Sequence, residues 1–297
     1  MPQAIHIVGA PIGLGAGKQG VDLGPNALRY ARLAEQLAGL ENPILDKGNV
    51  PLASISDPGP EPRLRCLPTI AAFCATLAEW VADSVAAGAL PLVLGGDHSL
   101  SIGSVAGTAR GRELGLLWLD AHGDFNTALT SPSGNIHGMS LACLTGQGHP
   151  DLIGLAGRVP AIQPRHVALV GIRDLDPPER DALKASGLHC YTMQDIDRRG
   201  MAAVMDDALA VVGAARDGFH ASFDLDVLDP REAPGVGTPV PGGISYREAH
   251  LAMEFISVTG KLRSLDLVED NPILDDRNQT AMLGVQLILS AFGKQIL

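Results

Sequence analysis

Aromatic residues are scarce in this 297-residue chain, at 4%, and 22 Lys and Arg face 33 Asp and Glu, a formal charge of −11. Nucleic-acid surfaces need a basic footprint and often stacking aromatics, so no nucleic-acid partner is expected. The four cysteines, Cys66, Cys74, Cys143 and Cys190, never approach a Cys-x-x-Cys spacing. A chain this long and 46% hydrophobic can bury a large core without cross-links, so reduced, buried, structural thiols are expected. No apolar run reaches membrane-spanning length. The uncharged stretch Asn278–Gly293 contains Gln, Thr and Ser and reads as a packed C-terminal helix. The opening MPQAIHIVGAP lacks the basic segment and apolar stretch of a secretory signal. These absences lead to the expectation of a cytoplasmic protein without membrane contact. No shift of composition marks a boundary, which predicts one domain over residues 1–297.

What the chain does have is alternation. Short apolar runs occur at Ile5–Val8, Leu92–Leu94, Leu116–Leu119, Val167–Val170, Phe219–Phe223 and Leu262–Val268, with a weaker one at Leu188–Thr192. Between them, apolar residues recur at helical intervals in Thr69–Ala87, Leu100–Arg110, Pro177–Ser186, Met201–Ala215, Ser245–Val258 and Thr280–Phe292. Strands apolar on both faces, separated by helices, predict a three-layer α/β/α sandwich around a mostly parallel sheet of roughly eight strands. In such sheets ligands bind beyond the carboxyl ends of the strands.

Three segments rich in metal-ligating side chains fall at those ends: Asp97-His98 in PLVLGGDHS, Asp120, His122 and Asp124 in LGLLWLDAHGDFN, and Asp224 and Asp226 in FHASFDLDVLDP. Alternate residues of an extended chain share one side, so Asp120, His122 and Asp124 can converge, as can Asp224 and Asp226. Any one of these residues alone is more simply read as a helix cap or loop bond. Together they are not, because four converging carboxylates repel unless cations sit among them. Imidazole nitrogens and carboxylate oxygens without thiolate suit a pair of divalent cations that activate water, which predicts a hydrolase. The excess of acid is compatible with a cationic substrate.

GGDHS, DAHGDFNT, SPSGNIHGMS and SFDLDVLDP, in this order and spacing, resemble the ureohydrolases: arginases, agmatinases and related guanidino hydrolases. GVDLGPNALR, YTMQDIDRRGM, APGVGTPVPGGISYREAHLAME and VEDNPILDDRN extend the likeness over nearly the whole chain, most closely to bacterial arginases. The resemblance implies two Mn²⁺ per subunit, one held by His98, Asp120, Asp124 and Asp224, the other by Asp120, His122, Asp224 and Asp226. Asp97 lies outside that pattern and is assigned a supporting role. The implied reaction is hydrolysis of L-arginine to L-ornithine and urea, with a metal-bridging hydroxide attacking the guanidinium carbon. Glu269 would hold the guanidinium by charge-assisted hydrogen bonds. Asp124 would pass a proton to the departing amine and His137 would shuttle protons at the mouth. The other six histidines, His6, His149, His166, His189, His220 and His250, receive no role.

The same resemblance places Asn126 and Ser133 at the substrate α-carboxylate, Asp176 and Glu179 near its α-amino group, and Thr238 in the pocket. Agmatine, guanidinobutyrate or formiminoglutamate as substrates, and an inactive metal-binding partner of a hetero-oligomer, are the alternatives. A homotrimer or homohexamer is implied. Three departures stand out: Asp270 where an apolar residue is usual, Val227 where glycine is common, and Pro178 beside the amino-group segment. The glycines of Gly15-Ala-Gly17-Lys-Gln-Gly20 match a dinucleotide fingerprint, but Pro25 is placed to start the following helix and no Ser or Thr follows Lys18. That loop is therefore read as packing at the substrate side.

Overall fold

The computed structural model describes residues 3–52 and 63–294. Its eight strands are β1 (Ile5–Ala10), β2 (Ile44–Asn49), β3 (Leu90–Gly95), β4 (Gly115–Leu119), β5 (Val167–Ile172), β6 (His189–Thr192), β7 (Phe219–Asp224) and β8 (Leu262–Val268). They form one sheet in the order β2-β1-β3-β8-β7-β4-β5-β6, and every pairing is parallel. The sheet is thus wholly rather than mostly parallel. All seven expected runs are strands. β2 was not anticipated, because ILDKGN is an edge strand with an irregular, half-exposed pattern and no apolar periodicity.

Alternation along the strands assigns the two faces. Ile5, Ile7, Leu92, Leu94, Leu117, Leu119, Phe219, Ala221, Phe223, Leu265 and Leu267 join one core with the helices Gly24–Tyr30, Met201–Val212, Tyr246–Val258 and Gln279–Ala291. Val8, Val93 and Val268, and farther along Leu116, Trp118, Val167 and Leu169, pack on the other face with Leu67–Ala86, Ser101–Ala109 and Ser140–Leu144. The expected three layers result. By length and composition Leu67–Ala86 could cross a membrane. Here it buries one face against Ser101–Ala109, approached so closely that a Cβ on Gly103 or Gly107 would lie 2.4 Å from the carbonyl oxygens of Cys74 or Ala78. All four cysteines are free, and Cys190 is exposed and Cys66 partly so, which corrects the expectation that all are buried.

The topology fixes where chemistry can gather. Neighbours at the centre of the sheet, β3, β8, β7 and β4, come from stretches far apart in sequence, and their carboxyl ends lie side by side. Residues 96–98, 269, 224–226 and 120–124 stand at the ends of β3, β8, β7 and β4 respectively.

Candidate metal centre and substrate cavity

Each ligand segment is set by its own backbone. Asp224 ends β7, and its carboxylate accepts the N–H of Asp226 at 2.8 Å. Asp120 follows β4 and accepts the N–H of His122 at 2.7 Å through Oδ1. Its Oδ2 accepts the indole N–H of Trp118 at 3.0 Å. The Trp118 ring stacks on His98, with centroids 4.0 Å apart and planes within 6°. Asp226 Oδ1 accepts the N–H of Ala121 at 3.2 Å, tying the β7 loop to the β4 loop.

These supports bring the six predicted ligands together. His98 Nδ1 lies 3.1 Å from Asp120 Oδ2, 3.2 Å from Asp124 Oδ2 and 3.0 Å from Asp224 Oδ2. His122 Nδ1 lies 3.1 Å from Asp226 Oδ2 and 3.4 Å from Asp120 Oδ1. Two candidate cation groups follow, His98 with Asp120 and Asp224, and Asp120 with His122 and Asp226, so that Asp120 belongs to both. His98 Nδ1 is fully buried and makes no properly directed hydrogen bond despite its three carboxylate neighbours. A nitrogen lone pair aimed among carboxylates is the geometry a divalent cation uses.

Electrostatics agree. Burial, then the neighbouring Asp120 charge, pushes Asp124 up to about 6, and burial with Asp226 and Asp120 raises Asp224. Carboxylates crowded this way retain protons unless positive charge is supplied. Among the described residues their ion-pair partners are only His98 and His122. The nearby Arg173 spends its guanidinium on the backbone carbonyls of Gly171, Asp226, Val227, Leu228 and Val240 instead. It clamps three loops, a function its sequence context did not reveal.

A cavity of about 300 Å³ opens over this centre, lined by His122, Asp124, Asn126, Ser133, His137, Asp176, Glu179, Asp226 and Thr238 among others. Five of the six predicted substrate-contact residues are therefore on its wall, and the sixth, Glu269, is not among the lining residues. Asn126 Nδ2 donates to Asp176 Oδ2 at 3.1 Å, and Ser133 stands exposed at the rim. Glu179 is different from expectation in its bonding: Oε1 accepts the N–H of Phe125 at 2.8 Å and Oε2 that of Asp176 at 3.3 Å. Both oxygens hold loop backbone. Thr238 donates to Asp226 Oδ2 at 2.9 Å, and so steadies a candidate ligand.

Glu269, 2% exposed, lies behind the cavity wall, in contact with the lining residue His137. Its Oε1 accepts the N–H of His98 at 2.9 Å and faces His137 Nδ1 at 3.1 Å. Burial alone would depress the His137 imidazole, but Glu269 outweighs it and lifts it to about 9, and the pair in turn lowers Glu269. The Glu269 carboxylate thus favours the charged form of the His137 imidazole. Asp97, buried, accepts the N–H groups of Gly15 and Ser99 at 2.8 and 3.0 Å. The glycine-rich loop is consequently pinned against the site rather than open for a phosphate, and Pro25 does occupy the first turn of Gly24–Tyr30.

Comparison with known proteins now decides the family. The Arginase family matches residues 3–293. The chain belongs to the arginase family. It is 48% identical to the arginase of Bacillus caldovelox over 297 residues, 99% of each chain. The solved arginase from Bacillus caldovelox superposes with a TM-score of 0.96 at 47% identity, covering 99% of this chain and 100% of that one. The Entamoeba histolytica arginase, solved in complex with L-ornithine, gives 0.91 at 31% identity over 99% of each. As an arginase-family member the chain is a hydrolase with an α/β fold, and the departures from the common pattern are accommodated locally. Val227 is fully buried and fits because Gly171, at φ 96°, lacks a Cβ that would fall 2.4 Å from it. Pro178 sits in the first turn of Pro177–Ala185, where no N–H is needed. Asp270 does not line the cavity.

Proposed function

We propose that this chain hydrolyses L-arginine to L-ornithine and urea, with Mn²⁺ as its metal and two ions per subunit. The observation that carries the reading is one unengaged carboxylate oxygen, Glu269 Oε2, on a side chain that touches His137 of the wall of a cavity also lined by Asp124, Asp224, Asp226 and His122. Glu269 Oε2 accepts no hydrogen bond among the described residues, while Oε1 is committed to His98 and His137. A guanidinium is planar, cationic and rich in N–H donors, which suits that oxygen.

His98, Asp120, Asp124 and Asp224 would hold one ion, and Asp120, His122, Asp224 and Asp226 the other. Bound there, the pair supplies Lewis-acid activation of water near neutral pH. Glu269 orients the guanidinium plane so that its carbon faces the aspartates. Asp124, at the cavity floor, passes a proton to the departing amine, and His137, partly exposed, exchanges protons with solvent. Toward the mouth, Ser133 and Asn126 meet the α-carboxylate and Asp176 the α-ammonium, with Glu179 and Thr238 holding the walls. A cytoplasmic, single-domain subunit assembled as a homotrimer or homohexamer belongs to the same reading and follows the family resemblance.

Urea release with Mn²⁺ and with chelator, on arginine, agmatine and guanidinobutyrate, tests it. Buried polar groups left unpaired discriminate by ~10⁴-fold, so arginine should exceed agmatine by that order in kcat/KM. Comparable rates on agmatine would remove the assignments of Asn126, Ser133 and Asp176.

A further inference from the structure

Period-two alternation turns His220 and Ser222 of β7, and Ser264 and Asp266 of β8, toward the face covered by the helix Ser101–Ala109. A polar seam results inside the apolar core, and it starts at a candidate metal ligand. His98 Nε2 lies 2.9 Å from Ser222 Oγ. Ser222 Oγ lies 3.1 Å from Ser101 Oγ, and Ser101 donates to Asp266 Oδ2 at 3.0 Å. Ser104 donates to the same oxygen. On the far side His220 Nε2 is 3.0 Å from Asp266 Oδ2, and His220 Nδ1 is 3.2 Å from Thr108 Oγ1. All of these side chains are fully buried.

Each hydroxyl has one proton, which fixes the direction of the whole chain. Thr108 donates its proton to the Ser104 carbonyl at 2.9 Å, so it accepts from His220 Nδ1–H. His220 Nε2 stands near Asp266 Oδ2 without a directed hydrogen bond, and Asp266 Oδ2 accepts from Ser101. Ser101, having donated to Asp266, can only accept from Ser222. Ser222, having donated to Ser101, can only accept from His98 Nε2–H. Nδ1 of His98 then carries a lone pair directed at Asp120, Asp124 and Asp224.

We propose that Asp266 is a positioning residue: through Ser101 and Ser222 it fixes the tautomer in which His98 offers Nδ1 to a divalent cation. His220, which sequence reasoning left without a role, closes the far end of the seam, 3.0 Å from Asp266 Oδ2. The inference rests on the metal reading of His98 given above. Supports of this kind change metal affinity by about 10–100-fold when removed.

Ser101→Ala cuts the relay while leaving Asp266 and His220 in place. Asp266→Asn presents an N–H where only acceptors stood and allows the chain to reverse. Calorimetric Mn²⁺ titration of the full-length protein should show one of two binding steps weakened about 10–100-fold in both variants, with the His122 step unchanged. A merely structural defect would weaken both. In the zinc-loaded, diamagnetic protein the His98 Nε2–H proton should exchange slowly in wild type and rapidly in Ser101→Ala. Thermal unfolding confirms that the variant compared is folded. A Ser101→Ala protein that keeps both steps at wild-type affinity overturns the relay and leaves the metal reading standing. Wild-type protein that takes up no divalent cation overturns the metal reading and this inference with it.

Discussion

Asp270 gives the sharpest test of how this fold tolerates charge. Its side chain is fully buried, and neither carboxylate oxygen has a hydrogen-bond partner among the described residues. Burial, and then Asp275, push it up to about 8. The folded protein therefore holds Asp270 protonated at neutral pH, while the unfolded chain, with a value near 3.8, has released that proton. Below pH 4 both states are protonated and above pH 8 both are ionised. Between those limits only the unfolded chain is charged, so stability falls as pH rises, by about 1.4 kcal/mol per pH unit. At pH 7 the accumulated cost is about 4 kcal/mol.

Asp270→Val replaces the carboxyl with an apolar group of similar volume. It removes that cost, together with the ~1–3 kcal/mol of leaving a polar group unpaired, which applies at any pH. The variant should be more stable than wild type throughout, with the gap widening by about 3 kcal/mol from pH 5 to pH 7. Denaturant midpoints of both proteins at four pH values between 4 and 9, under identical metal conditions, measure this difference, in which all other titrations cancel. A gap that stays constant with pH refutes the account of Asp270 as a neutral buried acid. A variant less stable than wild type refutes the claim that its oxygens lack partners.

Other substitutions probe the site and its packing. Asp120→Asn takes away the one carboxylate common to both candidate cation groups; metal content should drop and urea release should fall by at least ~10³-fold, read by elemental analysis and a colorimetric urea assay. Glu269→Gln keeps the shape behind the cavity wall but loses the charge-assisted bond to the substrate, so kcat/KM for arginine should fall about 10–100-fold while Mn²⁺ uptake stays near wild type. Gly171→Ala demands a Cβ at φ 96° and 2.4 Å from Val227. It should destabilise by about 2–3 kcal/mol in a chemical melt, with part regained when Val227→Gly is added.

The metal segments were legible because their meaning is local: alternate ligands at the end of an apolar run declare themselves within five residues. Ser222 and Asp266 did not, though they stand in equally apolar runs. Their partners are set by the pairing of β7 with β8 and by the helix above them, more than a hundred residues distant for Ser101. Arg173 was opaque for a similar reason, since its partners are backbone carbonyls, which every sequence contains. β2 was missed because an edge strand escapes the apolar signature. The orientation of Asp270 was an open question that the backbone answers. Glu269 adopts φ 65°, turning the chain after β8 so that Glu269 faces His137 on the cavity wall and Asp270 packs beside Gly24.

That left-handed residue points to a broader economy in the site. Asp124, at φ 49°, and Glu269 are two non-glycine residues held in a region that L-residues rarely enter, at about 1–3 kcal/mol each. Neither is merely tolerated. The carbonyl of Asp124 accepts the N–H groups of Leu141 and Ala142 at the start of Ser140–Leu144, and Glu269 donates its N–H to Gly96 while its carboxylate receives that of His98. Each strained residue is thus fixed by hydrogen bonds to segments remote in sequence. Glycine at either position would relax the backbone but abolish the carboxylate aimed at the metal floor. The strain therefore persists where side-chain direction matters more than local stability, and the parallel core beneath supplies the rigidity that keeps those two carboxylates in place.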